Sequence, residues 1–243
     1  MSDALDGIDS ITTRTKLSYG LGALGKDFAC SIVYLFLMYY YTDVAGVPAA
    51  FVGTLFLVVR MIDAVSDPVM GMIVDNTRSR FGKFRPWIVL GSIINSLALL
   101  ALFSAHLFSG SQLLLFVTVT YIVWGLTYTI MDIPFWSMVP ALSARREERE
   151  RLIVWPRLFA SIAWTIVGTY GLASIAFLGK GDEGRGFLLL SGLIIIAFLA
   201  SALITFTHVK ERVATQVNSE RFSFGDVIAI LRNNDQLASL IGC

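Results

Sequence analysis

The sequence is poor in charge, in cysteine and in histidine. Only 15% of its 243 residues are charged, whereas a soluble domain carries about a quarter. The two cysteines, Cys30 and Cys243, lie far apart in apolar runs and have neither disulfide nor metal-site spacing. The two histidines, His106 and His208, stand at the ends of apolar runs, and the chain has no Ser/His/Asp arrangement and no HExxH motif. We therefore expect neither an enzyme nor a resident cofactor.

What the chain has instead is long apolar runs, with 56% hydrophobic residues and a mean hydropathy of +0.70. About 20 apolar residues cross a bilayer core of roughly 30 Å as a helix. Six runs reach that length, at 18–41, 49–75, 84–107, 112–138, 155–178 and 186–207. The sequence therefore predicts an all-α membrane protein with a six-helix bundle over 18–207.

The remaining segments are a tail over 1–17, a polar linker over 208–234 and a last apolar run over 235–243. This last run is too short to span a bilayer. We interpret it as the start of a seventh helix. We therefore expect the N-terminal half of a longer protein, with a six-helix C-terminal half as its partner.

Lysine and arginine are concentrated in alternate connections between the runs. The basic connections contain Arg78, Arg80, Lys83, Arg85, Arg145, Arg146, Arg149 and Arg151. The turns TDVAGVP and SAHLFSGS, which should face the other side, contain neither lysine nor arginine. Basic connections face the cytoplasm, so the pattern predicts a multi-pass protein of the bacterial cytoplasmic membrane with a cytoplasmic N-terminus.

Several ionisable residues lie inside the apolar runs, where a charge costs from about 3 to well over 10 kcal/mol at the bilayer centre. They are Lys26, Asp27, Arg60, Asp63, Asp67, Asp132 and Arg157. Such groups normally face a partner or a cavity. If all are ionised, the carboxylates outnumber the bases by one, and a bound cation would supply the missing positive charge.

The stretch RMIDAVSDPVMG in the second run contains two of these carboxylates, Asp63 and Asp67, on one helix face. Close carboxylates repel each other, so one takes a proton unless a cation lies between them. Hydroxyls of Ser66 and Thr129 would add oxygen ligands, which hard cations prefer. The stretch predicts a site for Na⁺, Li⁺ or H⁺. The alternative is a structural ion pair between Asp63 and Arg60.

The stretch WGLTYTIMDIPFWS in the fourth run places Tyr128, Asp132 and Trp136 on one helix face. An aromatic ring stacks on the apolar face of a sugar, and a carboxylate accepts hydrogen bonds from its hydroxyls. We expect Pro134 to break the helix beside this site. The alternative is a belt of aromatic residues at the membrane interface, which is our interpretation of tyrosines 39–41.

The loop GMIVDNTRSRFGKFRP follows the second run and fits a G-x-x-x-D-x-x-x-x-R pattern through Gly71, Asp75 and Arg80. A glycine allows close approach of helices, and Asp75 could pair with an arginine of the same loop or of a neighbouring helix end. We interpret Asp75 and Arg80 as part of a cytoplasmic gate. The alternative is that the basic residues of this loop only contribute to the positive charge of the cytoplasmic side.

The motifs GALGKDFA, VGTLFLVVRMIDAVSDPVMG, RFGKFRPWI and TYTIMDIPFWSMVP resemble those of the melibiose permeases. These are sugar–cation symporters of the glycoside–pentoside–hexuronide group in the major facilitator superfamily, with twelve helices. The resemblance implies sugar-binding carboxylates at Asp27 and Asp132, further pocket residues at Lys26, Tyr128, Trp136 and Arg157, and a cation site of Asp63, Asp67 and Thr129. It covers the N-terminal half of that fold.

The resemblance implies symport of a galactoside, such as melibiose, with Na⁺, Li⁺ or H⁺. These permeases commonly have asparagine where this chain has Ser66, which favours H⁺ or Li⁺ over Na⁺ as the coupling cation. Three alternatives stay open: a symporter for another neutral glycoside or pentoside, a half-length protein that does not transport, and an ion channel or accessory protein.

Overall fold

The computed structural model describes residues 11–211, so the linker beyond Glu211 and the predicted start of a seventh helix lie outside the described residues. Within residues 11–211, six helices are long and apolar enough to cross a membrane. They are α1 (Thr13–Tyr39), α2 (Ala49–Asp75), α3 (Arg85–Leu102), α4 (Gly110–Ser137), α5 (Arg146–Gly179) and α6 (Glu183–His208). The predicted all-α class, with six spanning helices, is confirmed.

Four helices begin earlier than their apolar runs, and the largest differences are in α1 and α5. The α1 helix begins at Thr13, where the Thr12 hydroxyl accepts a hydrogen bond from the Thr15 backbone N–H at 3.3 Å. The α5 helix begins at Arg146 rather than near 155, so the stretch RREERER, which was predicted as a loop, forms its first turns. Hydropathy detects the apolar part of a helix and misses charged turns that continue it into the headgroup region.

The first helix packs against α5 and α6, and small residues allow the close approach. A Cβ atom on Gly22 would lie 2.1 Å from the Thr205 hydroxyl of α6, and one on Gly25 would lie 1.9 Å from the Ser201 hydroxyl. On the other side of the bundle α3 packs against α4, and α4 against α2. The arrangement places α1 and α4, which contain most of the predicted sugar-site residues, in one bundle.

The interpretation of tyrosines 39–41 as an interfacial belt is wrong for two of the three. Tyr40 and Tyr41 are fully buried, in a single π-helical turn that extends α1 over Tyr40–Val44. The Tyr40 hydroxyl donates to the Phe103 carbonyl at 2.7 Å and lies 2.8 Å from Nδ1 of His106. The Tyr40 hydroxyl therefore meets protein partners instead of headgroups, which hydropathy alone could not show.

Candidate functional site

A buried lysine on α1 joins two carboxylates inside the bundle. The Lys26 ammonium lies 2.8 Å from Oδ1 of Asp132 on α4 and 3.3 Å from Oδ2 of the neighbouring Asp27. Only 4% of Lys26 is exposed, and its ammonium donates a hydrogen bond to the Tyr128 hydroxyl at 3.4 Å. One ammonium between two carboxylates gives this cluster a net charge of −1 when all three groups are ionised. The structure therefore brings together four residues that were predicted separately on two helices.

Aromatic rings of α4 surround the same ammonium. The Lys26 nitrogen lies 5.5 Å from the ring centroids of both Phe135 and Trp136 and 5.8 Å from that of Tyr128. These distances fall in the cation–π range. Trp136 is partly exposed, so part of its ring is open to a ligand beside Asp132. Carboxylate acceptors, an ammonium donor and an aromatic face are thus combined in one cluster, and groups of these kinds orient small ligands.

The sequence predicted a break in α4 at Pro134, and this prediction is wrong. The α4 helix continues through Pro134 to Ser137, and a four-residue helix follows at Val139–Leu142. A proline removes its own backbone N–H from the helix, and membrane-spanning helices tolerate this because neighbouring groups satisfy the freed carbonyl. The Tyr19 hydroxyl of α1 donates to the Phe135 carbonyl at 2.6 Å, which fixes this last turn against α1.

Sequence reasoning missed a tryptophan that contacts the cluster. The indole Nε1–H of Trp164 on α5 donates to Oδ1 of Asp27 at 3.2 Å. Asp27 therefore uses one oxygen for Lys26 and the other for Trp164. Because Trp164 lies on a different helix from every residue of the WGLTYTIMDIPFWS motif, no local pattern could have revealed it.

Arg157 does not join the cluster. It lies well inside α5 instead of beginning it, and its side chain is exposed. Within residues 11–211 it makes no ion pair, and its backbone carbonyl accepts a hydrogen bond from Ser161. Its assignment to the sugar pocket therefore stays a prediction.

The predicted cation site is assembled between α2 and α4. Oδ1 of Asp67 accepts a hydrogen bond from the Thr129 hydroxyl of α4 at 3.0 Å. Oδ2 of Asp63 lies 3.3 Å from a guanidinium nitrogen of Arg60, which is the ion pair that the structural alternative proposed. The Ser66 hydroxyl donates at 3.3 Å to the backbone carbonyl of Asp63 instead of facing the carboxylates.

The side chains of this predicted site offer oxygen donors. Oδ1 of Asp63 is buried and has no hydrogen-bond partner among the described residues. Together with Asp67 and Thr129, it offers hard oxygen atoms, and an unpaired buried acceptor normally has a partner in the functional state. No group of three or more His, Cys, Asp or Glu side chains suited to a metal exists within residues 11–211.

At the C-terminal end of α2, Asp75 pairs with a lysine. The Lys83 ammonium lies 2.6 Å from Oδ1 of Asp75. The prediction that Asp75 pairs with an arginine is therefore wrong. The Arg80 guanidinium lies 4.6 Å from the ring centroid of Phe81 instead. The gating role of Asp75 and Arg80 stays a prediction.

Two glutamates that the motif analysis did not single out connect neighbouring helix ends. Both oxygens of Glu211 accept backbone hydrogen bonds at 2.9 Å, from Lys83 and Phe84 at the start of α3. Such a carboxylate satisfies free N–H groups at a helix N-terminus. Glu148 at the start of α5 is 7% exposed and lies 3.1 Å from the Lys16 ammonium of α1. Partners this distant in sequence leave no local signal.

The fold and these clusters define a class of protein, a polytopic helical membrane protein with ionisable groups in its interior, as transporters have. The chain belongs to the MFS/sugar transport protein family, whose model matches residues 18–243. The expected membership of a sugar-transport family of the major facilitator superfamily is therefore confirmed.

Relatives of this chain are named as symporters or sugar transporters. It is 34% identical over 230 residues to the putative glycoside/cation symporter YagG of Escherichia coli, which covers 92% of this chain and 49% of the relative. It is 33% identical over 241 residues to the uncharacterized symporter YnaJ of Bacillus subtilis, which covers 97% and 51%. It is 31% identical over 225 residues to the isoprimeverose transporter of Lactiplantibacillus pentosus, which covers 90% and 46%.

The chain thus spans about half the length of the curated relatives it matches. Their names describe transporters and not enzymes, as the sequence predicted. The likeness to melibiose permeases holds at the level of sugar symporters, and melibiose itself stays a prediction.

Proposed function

We propose that the protein containing this chain is a secondary symporter that moves a neutral galactoside together with one monovalent cation. The cation is Na⁺, Li⁺ or H⁺, and the membrane is the bacterial cytoplasmic membrane, with the N-terminus in the cytoplasm. No chemistry is done on the sugar. The family supports sugar transport; the particular sugar, the cation and the orientation are parts of the proposal.

The observation that carries this proposal is the position of two consecutive residues on α4. The Tyr128 hydroxyl accepts a hydrogen bond from Lys26 of the sugar cluster, and the adjacent Thr129 hydroxyl donates to Asp67 of the cation site. A shift of α4 therefore changes contacts in both clusters at once. A rigid element that contacts two sites is a physical basis for coupling them.

The charge of the sugar cluster favours a neutral glycoside. Asp27 and Asp132 share a single ammonium, so a sugar carboxylate would meet a net negative charge. One relative, 38% identical over 148 residues, is named glucuronide carrier protein homolog of Escherichia coli, which makes glucuronide the natural competitor to test. The choice of a galactoside rests on the resemblance to melibiose permeases.

In the proposed mechanism the cation binds at Asp63 and Asp67 and relieves the repulsion between them. It thereby draws α2 towards α4, and the sugar pocket binds its ligand more tightly. A coupling of about 1–3 kcal/mol changes the affinity about 5- to 150-fold, and the sugar raises the affinity for the cation by the same factor. The loaded halves then rock between inward and outward openings, with Asp75 and Arg80 at the cytoplasmic gate.

The test is binding of radiolabelled melibiose to membranes that contain the full-length gene product, in NaCl, LiCl or choline chloride. We expect at least about a fivefold gain in affinity with one of the two cations, or with acid. Asp67→Asn should abolish this gain. Asp43→Asn, which removes an exposed carboxylate beyond α1, should leave it intact.

Equal binding in all three salts and at every pH would refute coupling, and the protein would be a facilitator. Binding of lactose without binding of melibiose would keep a galactoside in the proposal and replace only melibiose. Binding of a glucuronide without either of these sugars would overturn the neutral galactoside.

A further inference from the structure

Arg60 on α2 contacts groups on two different helices, and the proposed transport cycle uses neither contact. Its Nη1 donates to Oδ2 of Asp63 at 3.3 Å, one turn along the same helix. Its Nη2 donates to the hydroxyl of Tyr34 on α1, and the guanidinium carbon lies 5.0 Å from the centroid of the Tyr34 ring. The guanidinium is therefore placed between a carboxylate of the cation site and a tyrosine.

The contact with Asp63 is weak for an ion pair inside a membrane helix. Hydrogen bonds between a guanidinium and a carboxylate are usually about 2.7–2.9 Å long and often bidentate, whereas this one is single and measures 3.3 Å. The other oxygen of Asp63 is buried and has no hydrogen-bond partner in the described part of the chain. The Arg60 side chain is 49% exposed, so the surrounding packing leaves room for it to move away from Asp63. A purely structural pair would use both oxygens and hold the arginine in place.

A cation at the proposed site would lie next to this guanidinium. Two positive charges that share one carboxylate repel each other strongly where the dielectric constant is low. The cation and Arg60 therefore compete for Asp63. The Tyr34 hydroxyl offers an acceptor, and its ring offers a cation–π contact, so the guanidinium keeps two favourable contacts when it leaves the carboxylate.

We propose that Arg60 is a built-in competitor for the co-transported cation at Asp63, and that Tyr34 is the positioning residue that holds the guanidinium when the cation is bound. This inference rests on the cation site of the proposed function and adds its regulation. In the empty carrier, Arg60 neutralises Asp63 and lowers its repulsion with Asp67. In the loaded carrier, Tyr34 retains the displaced charge.

The same tyrosine lies close to the sugar cluster. Its ring centroid is 6.0 Å from that of Trp164, whose indole donates to Asp27. Movement of the guanidinium on Tyr34 therefore takes place next to a side chain that contacts a sugar-site carboxylate.

The test uses two substitutions that should act in opposite directions. Tyr34→Phe keeps the ring but removes the acceptor, so Arg60 should occupy Asp63 more of the time, and the half-saturating concentration of Na⁺ or Li⁺ should rise about fivefold. Arg60→Gln removes the competitor, so this concentration should fall about fivefold. In the Arg60→Gln background, Tyr34→Phe should have no further effect.

The measurement is the thermal unfolding midpoint of the purified full-length gene product against NaCl or LiCl at pH 8, with choline chloride keeping the ionic strength constant and no sugar present. A ligand that binds the folded state raises the midpoint with concentration, so the curve gives the half-saturating concentration. Tyr39→Phe is the matched control, because its hydroxyl hydrogen-bonds Glu183 at the outer end of α1; it should leave that concentration unchanged.

Shifts in the same direction for both variants, or an effect of Tyr34→Phe that persists without Arg60, would overturn the competition. If the unfolding midpoint of the wild-type protein changes with neither cation, the competition is overturned together with the Na⁺ or Li⁺ part of the proposed function. The expected pattern in a protein that does not bind melibiose would support the competition and overturn only the choice of melibiose as the sugar.

Discussion

Lys26→Met should be among the most damaging single substitutions in the described part of the chain. It removes the ammonium that lies 2.8 Å from Asp132 and 3.3 Å from Asp27, and it leaves two carboxylates facing each other in a site where Lys26 is 4% exposed. Methionine has a similar length and an apolar end, so the change removes the charge with little change in volume.

The magnitude follows from burial and distance. At an effective dielectric constant of about 20, each of these two pairs contributes about 5–6 kcal/mol of Coulomb energy. Desolvation of the ammonium offsets much of this. Removing one partner of a buried ion pair costs about 3–5 kcal/mol, because the remaining charge is left uncompensated. We expect a loss of stability in this range, together with loss of sugar binding.

The assay is thermal unfolding of the full-length gene product, with Lys83→Met as the matched control. The Lys83–Asp75 pair is shorter, at 2.6 Å, but 55% of the Asp75 side chain is exposed. Exposed pairs contribute about 0–1 kcal/mol. If the distance within the ion pair determined the loss of stability, Lys83→Met would be the more harmful change. We expect burial to determine this loss, so Lys83→Met should be nearly neutral.

A second substitution tests the electrostatic cause. Asp132→Asn in the Lys26→Met background returns the cluster from a net charge of −2 to −1, so it should recover part of the lost stability. Equal midpoints for Lys26→Met and Lys83→Met, or no recovery in the double variant, would refute the reasoning. Sugar binding should not return in either case, because the ammonium donor stays absent.

Two further substitutions test the cation site and the helix packing. Because the Ser66 hydroxyl is used by the Asp63 carbonyl, Ser66→Asn should add an amide oxygen and lower the half-saturating Na⁺ concentration relative to that of Li⁺ in the thermal titration; an unchanged ratio would contradict this. Gly186→Ala would place a Cβ atom 2.3 Å from the backbone oxygen of Ile175 and should cost about 1–3 kcal/mol of stability. The control is Gly53→Ala, whose added Cβ atom would meet nothing within 4 Å. This change should be neutral or stabilise the protein by up to about 1 kcal/mol. Equal effects of the two glycine substitutions would show that the close approach at Gly186 does not matter.

The six helices could be predicted because their apolar runs have the length of a bilayer core. Their ends could not, because the force that selects apolar residues stops at the headgroups while the backbone hydrogen bonds continue. The start of α5 illustrates this. Its charged first turns are helical, and Arg146 and Glu150 form an ion pair there at 2.7 Å, four residues apart.

The candidate site was predictable where its residues share one helix. Helical spacing placed Asp63 beside Asp67 and Tyr128 beside Asp132. Contacts between helices depend on how the helices rotate and pack, which the sequence of either one does not specify. The bond from Trp164 to Asp27 belongs to this second class, and only the folded bundle reveals it.

The structure shows where the excess negative charge of the bundle lies. Asp27 and Asp132 share Lys26, while on α2 the only base paired with Asp63 or Asp67 within residues 11–211 is Arg60, which pairs with Asp63. Each cluster therefore lacks one positive charge, and Arg157 compensates neither by an ion pair within residues 11–211. A neutral sugar brings hydroxyl donors but no charge, so the pocket around Lys26 keeps its negative charge when the sugar binds. In the proposed symport, the cation must then compensate the negative charge of the α2 cluster. Sugar specificity and cation coupling can therefore reside in separate pairs of carboxylates. One helix, α4, holds the two pairs together.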